Sequence, residues 1–322
     1  MLGVDIAKLT FVACLVHGSQ RLRGQFANTP AGFREVLSWL RKAGASSAIV
    51  ALEATGPYSS GLAQAAHAAG HRVLVFNPRR VLEYARSTGR RNKTDRVDAE
   101  LIARFVLSRP REELAWWQPL PAPQAALREL LRRQADLELS LQAEQRRLEV
   151  AAPAVLPSVR RTVRWLSGEL ARLEQMIQRH LQQHTALAGD VARLRTIGGC
   201  GEKTARLLAA EIPRHFRTAR AVAAWLGVVP RQNLSGTSVR GGGHVGHEAP
   251  WLRAKLYFPA VTAMRCDPRC MALANRMRVL GHGGMSIVLA VLHKLIRTAF
   301  GLLKHGTTYD PNHQVRLRPC SP

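Results

Sequence analysis

Residues 2–16 read LGVDIAKLTFVACLV, an apolar run interrupted by Asp5 and Lys8. Such a run predicts a strand buried on both faces. A carboxylate inside it costs several kcal/mol to bury unless something positive compensates it, so Asp5 is expected to bind something. A second strand is expected to return over Arg21 to Ala27, after a turn around Gly18. Thr29-Pro30 then opens an amphipathic helix ending near Gly44, with Phe33, Val36, Leu37 and Leu40 at helical spacing. Ala48 to Leu52 predicts another buried strand, which ends at Glu53 and is broken by Thr55-Gly56-Pro57. A helix over Ser59 to Ala69 and a strand over Arg72 to Phe76 follow. Strands alternating with helices indicate an α/β sheet domain.

Further acids fit this frame. Asp95 and Asp98, in Lys93-Thr94-Asp95-Arg96-Val97-Asp98-Ala99, are three apart and share one helix face. Singly, each acid has a plain reading: Asp95 could cap a helix, Asp98 could pair with Arg96 or Arg104, and Glu53 could sit on the surface. Together, an acid in the first buried strand, one at a later strand end and a pair on a following helix form the order of an RNase H or RuvC-like nuclease site. Four converging acids repel one another and call for cations. Two Mg²⁺ ions about 3.5–4 Å apart would activate an attacking oxygen and stabilise the leaving one at a phosphodiester. Mg²⁺ suits this because it takes few carboxylates and keeps its other positions for water and phosphate.

The charge balance points to the same substrate class. Lys and Arg number 47 against 22 Asp and Glu in 322 residues, a formal charge of +25, which calls for a polyanionic partner. An anionic membrane is the rival. No run of about 18 apolar residues and no leader-like start is evident, so the expectation is a soluble, cytoplasmic nucleic-acid-binding protein without a membrane partner. The five cysteines are scattered, as for reduced thiols, and Cys266 with Cys270 lacks the further ligands of a zinc site.

Beyond residue 117 the chain changes character. Pro119, Pro121 and Pro123 mark a linker, and a Leu, Gln, Glu and Arg-rich stretch runs to about His184. Val163, Leu166, Leu170, Leu173 and Ile177 repeat at spacings of three and four, continued by His180 and His184, which predicts a coiled-coil seam between protomers. From Leu194, Ile197-Gly198-Gly199-Cys200-Gly201 resembles a helix-hairpin-helix turn able to offer backbone N–H groups to phosphate. Helices are expected over Ala219–Leu226, Trp251–Arg265 and Met285–Leu303, with a Gly-rich basic loop from Arg231 to Gly246 between the first two. Lys93 and Arg96 beside the acids, and Arg231, Arg240 and Arg253 in and after this loop, are the candidate nucleic-acid contacts.

In Gly3-Val4-Asp5-Ile6-Ala7-Lys8, Glu53-Ala54-Thr55-Gly56-Pro57-Tyr58, Lys93 to Ala99, Gly227-Val228-Val229-Pro230-Arg231-Gln232 and Ser235-Gly236, the chain resembles the DEDD transposases of the IS110 group of insertion sequences. The resemblance covers nearly the whole chain. It implies an α/β RNase H/RuvC-like domain over residues 1–117 with Asp5, Glu53, Asp95 and Asp98 as metal-binding catalytic acids. It implies a helical coiled-coil connector over 118–187 and a mainly α C-terminal transposase domain over 188–312, with residues 313–322 as a tail. Ser235 matches the family's serine nucleophile, and Ser238 is the fallback. The resemblance also implies a homo-oligomer, dimer or tetramer, with a composite site, and a bridge RNA that selects donor and target DNA. Val245-Gly246-His247-Glu248 departs from the family's basic Ser-Lys element, removing a lysine and adding an acid. Met1 leaves almost nothing before the first strand, which reads as a late start or a strand short at its edge. The rivals are a junction-resolving nuclease that uses the acids with water, and a nucleic-acid-binding protein without catalysis.

Overall fold

The computed structural model describes residues 1–54, 56–87, 95–235, 239–245 and 250–312. It falls into two units, residues 1–119 and 120–322.

The first unit is built on a five-stranded sheet of order β3-β2-β1-β4-β5, with β1 (Leu2–Ile6), β2 (Thr10–His17), β3 (Gln20–Ala27), β4 (Ile49–Glu53) and β5 (Arg72–Phe76). The expected single strand over residues 2–16 is two strands. Asp5 pairs with Val12 and Ile6 with Phe11 in an antiparallel hairpin, and the turn is closed by the Ala7 N–H donating to the Thr10 carbonyl at 2.9 Å. The remaining neighbours of β1 and β4 are parallel, so each is reached by a helical crossover. These are α1 (Pro30–Lys42), capped by the Thr29 hydroxyl accepting from Gly32 N–H, and α2 (Ser60–Ala68).

Two-residue periodicity sorts the side chains by face. Leu2, Val4, Ile6, Val50, Leu52 and Val73 pack with Val36 and Leu40 of α1 and Leu62 of α2. On the other face Ala51, Leu74 and Phe76 pack with α3 (Pro78–Ser87) and α4 (Asp95–Leu107), through Val81, Ile102 and Phe105. The sheet is therefore covered on both faces.

The second unit is mostly helical: α5 (Ala122–Val150), α6 (Leu156–Gln183), α7 (Thr185–Arg195), α8 (Glu202–Glu211), α9 (Ala219–Trp225), α10 (Pro250–Cys266), α11 (Pro268–Val279) and α12 (Gly284–His305). One continuous core runs from Leu127 to Leu303. The seam expected between protomers lies inside this chain. Leu166, Leu173 and Ile177 are buried in one core with Leu127, Leu131 and Leu137 of α5, with Leu141 and Leu170 partly buried beside them, because α5 folds back on α6 and supplies the apolar partner. His180 belongs to the same packing, its Nε2 2.8 Å from the Pro123 carbonyl. At its centre lies α12, which is long and apolar enough to cross a membrane by length and composition, although Lys294 and Arg297 interrupt its apolar run. Ile287, Val291, Ile296 and Phe300 bury it in the core.

The supposed basic loop is largely a β-hairpin: β6 (Pro230–Ser235) pairs antiparallel with β7 (Val239–Val245), with an irregularity between Arg231 and Asn233. Gly241 to Gly243 lack the side chains that signal a strand, and the pairing with β6 forms it nonetheless. Lys93, Gly236, Ser238, Gly246, His247, Glu248 and residues 313–322 lie outside the described residues.

Candidate active site

In the parallel register of β1 and β4, Gly3 stands opposite Ala51 and Val4 opposite Leu52. Carried one residue further, this sets Asp5 beside Glu53 on neighbouring strands, with a strand spacing of about 4.8 Å. Both lie at the carboxyl ends of their strands, where open α/β sheets bind ligands, and both are half-buried. Asp5 shares its face with Gly3, two residues earlier.

Gly3 explains how the helix bearing the other acids comes so near. A Cβ built there would lie 2.1 Å from the Ala99 carbonyl oxygen and 2.6 Å from the Ala103 nitrogen. Only glycine allows α4 to rest its backbone on β1. Asp98, half-buried, immediately precedes Ala99 in that contact. Asp95 opens the same helix one turn earlier, but its side chain and that of Arg96 are not among those described. The backbone thus brings Asp5, Glu53 and Asp98 to one region. Among the described residues no three His, Cys, Asp or Glu side chains stand close enough to hold a metal ion.

Glu100, absent from the sequence-based candidates, fixes α4 in rotation. It is buried on the sheet side, accepts from Arg23 Nη2 at 2.5 Å and Arg104 Nε at 2.9 Å, and has Arg21 at 3.7 Å. Burial alone would raise its pKa, but the bonds from Arg23 and Arg104 outweigh it and hold the carboxyl below the usual range. Arg23 faces Cys14, which itself pairs with Gly3, so the ion pair and the glycine contact clamp α4 onto β3 and β1, the two strands that flank β2. The available signal was three basic residues, Arg21, Arg23 and Arg104, flanking an acid in an otherwise apolar helix face.

In the second unit, α9 starts at Thr218, whose hydroxyl accepts from Ala221 N–H at 3.2 Å, and ends at Gly227 with φ of +65°. The chain then passes through buried Val228 into β6. Arg253 donates to the Gly227 carbonyl at 3.1 Å, which steadies the entry to the hairpin. Ser235 closes β6 opposite Val239. Arg231 and Arg240 lie on the same hairpin, and no side chain of it is described.

The Gly-rich turn at 197–201 has a packing explanation. A Cβ at Gly199, where φ is +84°, would meet the Ala263 nitrogen at 2.6 Å, and one at Gly198 would meet Cys266 and Asp267. In the first turn of α8, where phosphate would sit, Glu202 pairs with Arg206 at 3.0 Å and Arg195 at 2.9 Å. Cys270 is buried, with its thiol pushed up to about 12 by burial and by Asp267, so it suits packing rather than metal binding.

Two family models match the chain. One, described as a transposase and of the DEDD type of the IS110 group, covers residues 2–157, and the other, the transposase IS116/IS110/IS902 family, covers residues 191–275. The chain is 29% identical to the pilin gene-inverting protein of Moraxella bovis, over 96% of this chain and 97% of that one. It is 28% identical to a probable family 20 transposase of Pseudomonas aeruginosa, over 96% and 98%. To the transposase for insertion sequence element IS1328 of Yersinia enterocolitica it is 25% identical, also over 96% and 98%.

Proposed function

This chain belongs to the IS110/IS116 transposases, enzymes of DNA transposition and recombination, and from that premise we propose that it cuts and rejoins DNA with a metal-binding carboxylate group and a serine nucleophile. The observation that supports the first half is the β1–β4 register with α4 seated on Gly3, which sets Asp5 and Glu53 on neighbouring strand ends and Asp98 on the helix packed against β1. The three-stranded antiparallel meander extended by two parallel strands supports a RuvC-like reading of this unit. Mg²⁺ suits a site with few carboxylates because it retains water and phosphate ligands. Asp5, Glu53, Asp98 and Asp95 would hold it. Bound there, Mg²⁺ supplies Lewis-acid polarisation of the scissile phosphate.

Ser235 does the bond exchange in this reading. Its Oγ bonds to phosphorus as the bond from phosphorus to one sugar oxygen breaks; the serine proton passes to solvent or a carboxylate, and the leaving oxygen takes a proton from solvent to become a free hydroxyl. The hydroxyl can later reverse the step and join a new partner strand. The backbone supports this because Ser235 ends β6 at the turn of an Arg-bearing hairpin. The acids and the serine belong to different units, and in the proposed enzyme they meet in a composite site of a dimer or tetramer. A bridge RNA that selects donor and target DNA completes the proposal, consistent with the charge of +25. Sequencing of nucleic acid that co-purifies with the protein tests that part.

Incubation with DNA and Mg²⁺, with the co-purified RNA added, should give a denaturation-resistant protein–DNA adduct that Ser235→Ala loses while binding DNA normally. An adduct retained by Ser235→Ala and lost by Ser238→Ala moves the nucleophile by three residues. Normal recombination by both variants refutes the serine mechanism and leaves the acids acting with water or a DNA hydroxyl.

A further inference from the structure

A groove of about 1040 Å³ runs through the second unit between α11, α12 and the segment at 307–310. Its lining on α12 is Ser286, Leu289, Ala290, His293, Lys294 and Arg297, continuing to His305. These positions recur at three and four residues, so one face of the helix forms the wall over about 28 Å, at 1.5 Å per residue. The facing wall is α11, where Arg269, Leu273, Arg276 and Met277 fall on one face.

The chemistry of this lining is uneven in an informative way. Some arginines elsewhere in the unit are paired, Arg132 with Glu211, Arg193 and Arg214 with Asp190, and Arg206 with Glu174 and Glu202, whereas the groove sets Arg269, Arg276, Lys294 and Arg297 against one acid of its lining, Asp310. Among the described residues no salt bridge joins Arg269, Arg276 or Arg297 to a carboxylate, and Lys294 donates only to the Arg269 carbonyl, at 2.8 Å. Leu273, Met277 and Leu289 make the floor between these cations apolar. A duplex presents phosphates outward and keeps its base faces stacked inside, so it would use the cations and leave the floor wet. An unpaired strand offers both phosphates and base faces. Residues 313–322 include Arg316 and Arg318 and no acid, so their charge opposes filling the groove with the chain's own C-terminal segment.

We propose that the groove between α11 and α12 binds an unpaired nucleic-acid strand, its phosphates on Arg269, Arg276, Lys294 and Arg297 and its bases against Leu273, Met277 and Leu289. Val229, at one edge of the groove, immediately precedes β6. A strand held there is delivered to the root of the hairpin whose first strand, β6, ends at Ser235.

The test is equilibrium binding of fluorescent oligonucleotides of about 15 nucleotides, a length within known single-strand site sizes, to the full chain without Mg²⁺, so that the outcome is independent of cleavage. Unpaired thymidine DNA, unpaired uridine RNA and a duplex of equal length are compared. Arg276→Gln with Arg297→Gln should weaken binding of at least one unpaired oligonucleotide by about tenfold. Its salt slope should become shallower by about 1.4, from two phosphates at about 0.7 each. Duplex binding should change less than about twofold. Gly301→Leu projects into the groove from a position with nothing within 4 Å, and leucine is the better helix former. That variant should weaken the unpaired oligonucleotides with the salt slope unchanged. Loss confined to DNA or to RNA identifies the strand and supports the site. Equal weakening of the duplex, no change with either variant, or equally effective competition by a polyglutamate peptide overturns it.

Discussion

Replacing Gly3 by alanine adds a single methyl group, and the packing of the first unit makes that addition costly. The new Cβ would stand 2.1 Å from the Ala99 oxygen and 2.6 Å from the Ala103 nitrogen, whereas real Cβ contacts essentially never fall below 3.0 Å. Both obstacles are backbone atoms, so no side chain can swing aside and α4 must retreat by about 1 Å or the sheet must bend. Overpacking of this kind costs about 1–3 kcal/mol, or about 4–12 °C in the melting temperature of a unit this size. Asp98 moves with the helix. In the proposed mechanism Asp98 is a catalytic group, and a displacement of about 1 Å in such a group costs on the order of 100-fold in rate, while overall charge, and with it DNA affinity, stays the same. Gly168→Ala is the control: it lies within α6 with nothing within 4 Å, and it should be neutral or stabilising by up to about 1 kcal/mol. Thermal melts together with a strand-cleavage time course read both effects. Wild-type cleavage and melting for Gly3→Ala would refute the close seating of α4 on β1.

Glu100→Gln leaves Arg23 and Arg104 without their carboxylate and should destabilise the first unit by about 2–3 kcal/mol. Because the folded pKa of Glu100 is depressed, its contribution is complete above the ordinary glutamate value of about 4.3 and fades as pH falls through the lower folded value. Acid titration of stability should therefore be flatter for the variant in that window, and parallel curves would contradict the clamp. Leu170→Asp with Ile177→Asp places carboxylates in the intrachain interface of α5 and α6, at a cost of several kcal/mol. Circular dichroism should show loss of cooperative unfolding in the second unit. A stable, well-folded monomer in sedimentation would instead restore the seam to an interface between protomers.

How much the sequence revealed depended on whether the signal was local. The places of Asp5 in a buried strand and of Glu53 at the end of another were legible, the first because the run around it is apolar and the second because its strand is short and ends in a break. The split of residues 2–16 into β1 and β2 was hidden, since Ala7-Lys8-Leu9 carries none of the glycine, proline or asparagine that marks a turn. Gly241 to Gly243 concealed β7 for the opposite reason. The apolar stripe of α6 was read correctly as a packing surface, but a periodic stripe does not say which helix covers it, and α5 does so within the same chain. Gly3 carried a usable signal, a glycine in a buried strand marking close backbone approach, yet the identity of the approaching element depends on contacts nearly a hundred residues away. The same holds for Glu100, whose partners lie on β3 as well as on its own helix.

The central claim, the proposal that carboxylates on β1, β4 and α4 perform the DNA chemistry, is tested most directly at Asp5. The measurement is Mg²⁺-dependent strand cleavage by Asp5→Asn beside its equilibrium binding to the same DNA. The substitution is nearly isosteric and hardly alters the positive surface, so affinity should stay within about twofold while cleavage disappears. Full Mg²⁺-dependent cleavage by Asp5→Asn would contradict the account, whatever the other variants show.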